Sequence, residues 1–263
     1  MLDYDSSLNP VLSRANTHEL APLHDLVMSK PFSEMLSITE SYLRHKSDHA
    51  QYANEIASEI RRFGGNTFAN LARGGRGPSY HEIVCDVATA LKVPFNKARP
   101  VEDIEEAILT TVCEKAFESM TPEERLELLG KIGKPNLSFL KGGSVMALQA
   151  ILRAGGFRSY QLMLIVANAV VTTAIGRGLP VVINWLAVKG LSIAIGPIGW
   201  AASVLTTLNQ LAGPSHRVII PSVIHVAGLR LQHKLRPCPN CSALVPDSFS
   251  FCNECGTRVD QQS

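Results

Sequence analysis

The chain has 263 residues and a mass of 28.5 kDa, long enough to bury a sizeable core without disulfide staples. Charged residues make up 18% and aromatics 6%, against about 25% charged in an average domain, so Ala, Val, Ile and Leu carry the apolar share. Disorder, a collagen-like chain and a disulfide-rich mini-protein are thereby excluded, and a formal net charge of +2 is too small to require a polyanionic partner on bulk electrostatics.

The opening Met1-Leu2-Asp3-Tyr4-Asp5 has neither a basic n-region nor an apolar h-region. No secretory signal is expected, and the chain is placed in the cytoplasm. Thr17-His18-Glu19-Leu20 begins a helical pattern, and the stretch 49–62 puts Ala53, Ile56, Ala57 and Ile60 on one helix face. Gly64-Gly65 should stop that helix with one glycine at positive φ. Asn66 or Thr67 then caps a short helix, and Gly74-Gly75-Arg76-Gly77-Pro78 forms a loop. From Ser79, the spacing of Tyr80, Ile83, Val84, Val87, Ala88 and Leu91 predicts another amphipathic helix, ended by Pro94. Thr121-Pro122-Glu123-Glu124 combines an N-cap, a proline at N1 and a capping-box glutamate, and starts a helix through Leu126, Leu129 and Ile132 to Gly133.

Charge is distributed unevenly. Residues 1–158 hold 18 of the 25 basic and 20 of the 23 acidic residues, whereas 159–215 hold only Arg177 and Lys189. Two uncharged runs, of 18 residues (159–176) and 26 residues (190–215), reach the length of a membrane span. Asn168, Thr172, Thr173, Asn184 and Gln210 dilute them, and Gly196-Pro197 with Gly199 would interrupt a helix. A hairpin in the bilayer and a hairpin buried in a helical bundle are both open. Arg153 and Arg158 before it, with Arg217, Arg230, Lys234 and Arg236 after it, suit a hairpin with both ends at the cytoplasmic face of the inner membrane.

The clearest chemistry is C-terminal. Cys238-Pro239-Asn240-Cys241 and Cys252-Asn253-Glu254-Cys255, with ten residues between them, form two knuckles that can direct four thiolates at one tetrahedral Zn²⁺. Val245 and Phe251 are the expected mini-core. Two disulfides are the alternative, disfavoured in a reducing compartment, and iron is the competing metal. Four protein ligands leave no open position, so the metal is expected to be structural. The other cysteines are weaker candidates. Cys85 shares a helix edge with His81, as Asp86 does with Glu82, so a second metal site and a plain helix edge with a half-buried thiol are the two readings there, and an enzyme would have to work through His81, Glu82 and Asp86; Cys113 reads as a core residue. Neither Arg73-Gly74-Gly75-Arg76-Gly77 nor Lys141-Gly142-Gly143-Ser144 matches a phosphate-loop order, and both read as plain connections.

The fold expected is mainly α: a helical bundle with an apolar Gly/Ala-rich helical hairpin and a small C-terminal zinc ribbon. Its regions are a charged helical domain at 1–158, the apolar hairpin and basic segment at 159–236, and the ribbon at 237–263. The block IRRFGGNTFANLARGGRGPSYHEIVCDVATALKV, with the later HRVIIPSVIHVAGLR, resembles the YaaW-like family of bacterial proteins. That resemblance extends from the Asp5-Ser6-Ser7-Leu8 region to about residue 233, with the ribbon as an added module. Its central region is similar to ubiquinol–cytochrome c assembly-chaperone-like domains, which implies partner binding and no transferable catalysis. Two functions are therefore carried forward. One is a non-enzymatic, protein-binding adaptor or chaperone-like protein, membrane-associated through 159–215. The other is nucleic-acid binding through the ribbon and the basic segment 216–236, where Arg217, Arg230, Lys234 and Arg236 stand without an acid.

Overall fold

The computed structural model describes residues 4–29, 34–65, 77–132, 145–176, 199–212 and 216–259. The cap at Asn66 or Thr67, the glycines of 73–76, Gly133, Lys141-Gly142-Gly143-Ser144 and the middle of the apolar hairpin at 177–198 lie outside these residues.

The chain is helical over almost all of its described body. Helix α1 (Asn9–Arg14) and α2 (Thr17–Met28) are followed by α3 (Glu34–Ser37), α4 (Glu40–His45) and a 3-10 turn (His49–Tyr52) that leads into α5 (Ala53–Phe63). The stretch 49–62 is thus one turn of 3-10 helix and then α-helix. α2 starts where the sequence places it, with Asn16 as N-cap and a capping box completed by Glu19. α6 (Tyr80–Ala90) is capped by the Ser79 hydroxyl, which accepts from the Glu82 N–H at 3.2 Å. It stops short of Pro94 because Lys92 turns left-handed at φ 58°. α7 (Val101–Ser119) precedes α8 (Pro122–Lys131), whose predicted capping box of Thr121 and Glu124 is formed in both directions. In α8 the inward face is Leu128 and Leu129; Leu126, expected inside, is 48% exposed.

α9 (Val145–Ala154), α10 (Gly156–Ile175), α11 (Gly199–Ala212) and α12 (His216–Gln232) complete the body. α10 and α12 pack along each other at its centre, with α2, α7 and α11 around them. Both are apolar on nearly every face, as helices with neighbours all round must be: residues 162–171 of α10 and 218–229 of α12 are buried throughout. The first uncharged run is therefore the core of the protein. Among the described residues, no helix is long and apolar enough to cross a membrane. One hydrophobic cluster extends from Leu8 to Leu231.

A buried polar network crosses this body. The Asp5 carboxylate accepts from the N–H groups of Ser7 (2.9 Å), Leu8 (3.1 Å) and Tyr80 (2.8 Å). Tyr80 donates its hydroxyl to Glu105 at 2.8 Å. Arg230 then donates to Glu105 (2.6 Å), to Glu102 (3.0 Å) and to the Ser7 carbonyl (2.6 Å). Arg230 belongs to the basic segment 216–236, yet its charge is spent inside the protein. Burial pushes the Glu105 carboxyl up from its ordinary range, with the Arg230 guanidinium opposing.

The FGG signal has a different cause from the one expected. Gly64 caps α5 with φ −71°, an ordinary helical value. What keeps side chains out is proximity to α6: a Cβ on Gly64 would lie 2.5 Å from Ile83 Cγ1.

Candidate metal centre

α12 ends at Gln232, and three residues later the chain enters β1 (Leu235–Pro237), which pairs antiparallel with β2 (Leu244–Pro246). The register is Leu235↔Pro246, Arg236↔Val245 and Pro237↔Leu244. Leu235 packs against the core of the body, so the ribbon is seated on the end of the last helix.

Each knuckle is built by the same two backbone bonds. Cys238 N–H donates to the Ala243 carbonyl (2.8 Å), and Ser242 N–H donates back to the Cys238 carbonyl (2.9 Å). In the second knuckle Cys252 N–H donates to Thr257 (2.8 Å), and Gly256 N–H donates to Cys252 (2.9 Å). The residue after each second cysteine must turn left-handed to close this loop. Gly256 does so at φ 71° and Ser242 at φ 60°, so the serine of the first knuckle holds the left-handed conformation that a glycine holds in the second.

The knuckles bring all four candidate cysteines together. Cys238 and Cys255 sulfurs are 3.6 Å apart, as are those of Cys241 and Cys252, and all four lie within 4.8 Å of one another. A disulfide would need about 2.05 Å. A tetrahedron of thiolates about 2.3 Å from a central ion has edges of about 3.8 Å. The cluster is thus a set of four soft donors sized for one metal ion, and among the described residues it is the one group of His, Cys, Asp and Glu so arranged. Cys238 and Cys252 are buried, Cys241 is half-buried and Cys255 is exposed. The Thr257 hydroxyl lies 3.3 Å from the Cys255 sulfur, and this hydroxyl and its own backbone N–H hold that thiol down to about 6. Thr257 was not singled out by spacing, although its place two residues after the last cysteine is a readable signal.

The mini-core is Val245 and Val259 with Phe249 partly buried against them. Phe251, expected there, is 57% exposed. It is bridged in extended conformation to Arg258, and since successive side chains of extended backbone face opposite ways, burying Cys252 turns Phe251 outward.

The other candidates are not activated. In α6, Cys85 Sγ is 3.8 Å from His81 Nδ1, so the helix does pair them. But Cys85 is buried and burial pushes its thiol up, away from the thiolate a nucleophile requires. Cys113 is fully buried in α7 and its thiol is pushed up further for the same reason. Asp86 is exposed, and Glu82 sits in the first turn of α6.

A family model described as "Ubiquinol-cytochrome C chaperone" matches residues 48–223, a span that stops short of the ribbon. A UPF0174 protein of Helicobacter pylori (strain J99 / ATCC 700824) is 37% identical over 235 residues, covering 87% of this chain and 92% of the relative. Another, from strain ATCC 700392 / 26695, is 34% identical over 209 residues, covering 78% and 100%. UPF0174 protein YaaW of Escherichia coli (strain K12) is 28% identical over 189 residues, covering 71% and 74%. No solved structure matches the chain.

Proposed function

We propose, from the premise that this chain belongs to the ubiquinol-cytochrome C chaperone family and to the UPF0174 proteins, that it is a non-enzymatic, chaperone-like protein-binding adaptor. Its ribbon holds one structural Zn²⁺ through Cys238, Cys241, Cys252 and Cys255. The observation that carries this reading is the closed four-sulfur cluster on a helical body. Four thiolates fill the coordination of zinc and leave no position for an activated water. The family description supports a protein as the partner.

The body supports the adaptor reading over the nucleic-acid one. Of the basic segment, Arg230 is engaged by Glu102 and Glu105, and Arg236 donates to the Phe249 carbonyl and faces Asp247. That leaves Arg217 and Lys234, two of the four cations of the stripe, exposed for phosphate binding. Membrane insertion is not part of the proposal, because α10 is buried in the body and no described helix is long and apolar enough to cross a membrane.

Metal analysis of protein purified without chelator tests the site, with about one zinc per chain expected; near-zero metal would sink it, and iron would correct the element. Suppression of light scattering by a thermally unfolding model substrate tests the chaperone-like role. No suppression at equimolar ratio, together with salt-dependent binding to duplex DNA or RNA, would transfer the proposal to nucleic acid.

A further inference from the structure

We infer that Cys255 is an oxidation site, the point at which a peroxide opens the ribbon and expels its metal; this rests on the zinc reading above. The four sulfurs are chemically alike but sterically unequal. Cys238 and Cys252 are each 2% exposed, packed in the mini-core with Val245 and Val259. Cys241 is half-buried and packs against the same cluster. Cys255 alone of the four is exposed, and the residue that follows it is Gly256, which has no side chain to shield it. Oxidation of thiolates goes to the sulfur that a small oxidant can reach.

The chemistry balances with one equivalent of hydrogen peroxide. The Cys255 thiolate attacks a peroxide oxygen: an S–O bond forms, the O–O bond breaks, and the leaving hydroxide takes a proton to become water. Once the sulfenic acid is formed, Cys238 Sγ, 3.6 Å away, attacks its sulfur. The S–S bond forms, the S–O bond breaks, and a second water leaves with a second proton. Two thiolates have lost two electrons and the peroxide has gained them. This disulfide ties the first residue of one knuckle to the last of the other and removes two of four metal ligands, leaving too few for a closed thiolate site. Cys241 and Cys252, also 3.6 Å apart, can close in the same way with a second equivalent. Cys85 and Cys113 are buried in the body and stay reduced.

The test uses the full-length, zinc-loaded protein and hydrogen peroxide, with a metallochromic indicator for released zinc, dimedone to trap sulfenic acid and peptide mass spectrometry to locate it. Zinc release of about one per chain should run in step with a dimedone adduct on Cys255. Without dimedone, a Cys238–Cys255 disulfide should form that dithiothreitol and added zinc reverse. A Cys85→Ala, Cys113→Ala variant should behave identically; loss of the response there would assign the reaction to the body thiols and overturn the inference. Retention of zinc, or adducts appearing first on Cys238, Cys241 or Cys252, would also overturn it while leaving the metal site standing. Protein that carries no metal before peroxide is added would instead remove the zinc reading itself.

Discussion

Gly77 has no room for a methyl group. A Cβ there would lie 2.2 Å from both the carbon and the oxygen of the Arg61 carbonyl and 2.7 Å from Arg62 N, and backbone cannot move aside as a side chain can. Arg61 reinforces the contact by donating to the carbonyls of Pro78 (2.7 Å) and Gly77 (3.2 Å). Gly77→Ala is therefore expected to cost about 3 kcal/mol, seen as a thermal midpoint lowered by roughly 6–12 °C at this chain length. Gly64→Ala should cost less, since it meets only the Ile83 side chain. Equal midpoints for the two variants would show that the α5–α6 approach is looser than described. In the ribbon the same logic runs through backbone conformation. Ser242 at φ 60° carries a left-handed strain of about 1 kcal/mol that glycine lacks. Ser242→Gly should thus tighten zinc about fivefold, and Gly256→Ala should weaken it by a similar factor. Chelator competition reads both, and an unchanged midpoint for either variant would contradict the knuckle geometry.

At the scale of elements, α12 illustrates how an internal helix handles polar groups. Ser222 donates its hydroxyl to the Val218 carbonyl (2.8 Å), and His225 Nε2 donates to the Glu19 carbonyl on α2 (2.7 Å). Burial holds His225 down to about 4, with the Glu19 bond opposing. The unfolded chain therefore takes up a proton near the ordinary histidine value of 6.5, while the folded protein resists until about pH 4. His225 leaves stability intact above pH 6.5 and erodes it as the pH falls toward 4, by up to about 1.36 kcal/mol per unit. His49, half-buried beside His24 and also held down to about 4 by burial and by that neighbour, adds a smaller amount because water screens it. His225→Gln keeps a donor but cannot titrate in this range. Urea unfolding at pH 6.5, 5.5 and 4.5 should show a shallower acid dependence for this variant than for the wild type. Parallel curves would mean that His225 is already protonated in the folded state.

The whole molecule is closed by Arg230, which joins residue 7, helix α7 and helix α12 through Ser7, Glu102 and Glu105. Arg230→Met would leave the Glu105 carboxylate buried without its cation, at a cost of about 3–5 kcal/mol. The loss should shrink as the pH is lowered, because a protonated Glu105 needs no counter-charge. Glu105→Gln in the Arg230→Met background should recover part of it, since Tyr80 still has an acceptor; a double variant no better than the sum of the singles would show that the two residues act independently. Val170, fully buried in α10, tests the body as a unit. Val170→Arg is expected to abolish cooperative unfolding followed by circular dichroism. If the variant instead unfolds normally and the wild type pellets with membranes in the absence of detergent, α10 has a lipid-facing role.

Local signals in the sequence determined the capped helices and the metal knuckles. The Thr121 capping box, the Ser79 cap and the two C-x₂-C knuckles depend on residues within five positions of each other, and backbone geometry acts at that range. The inward side of the ribbon was legible only in part: Val245 was predicted, whereas Phe249 replaced Phe251 because pairing with Arg258 set the facing. The meaning of the apolar runs was a tertiary decision. Hydropathy along the first run, which becomes α10, reports that water is excluded, but lipid and protein exclude it equally well. Only the packing of α2, α7, α11 and α12 against α10 shows that protein does so over the described residues. The network of Asp5, Tyr80, Glu105 and Arg230 was likewise invisible. Its members are scattered through 225 positions of ordinary surface residue types, and only the folded chain removes their water and makes each the partner of the next.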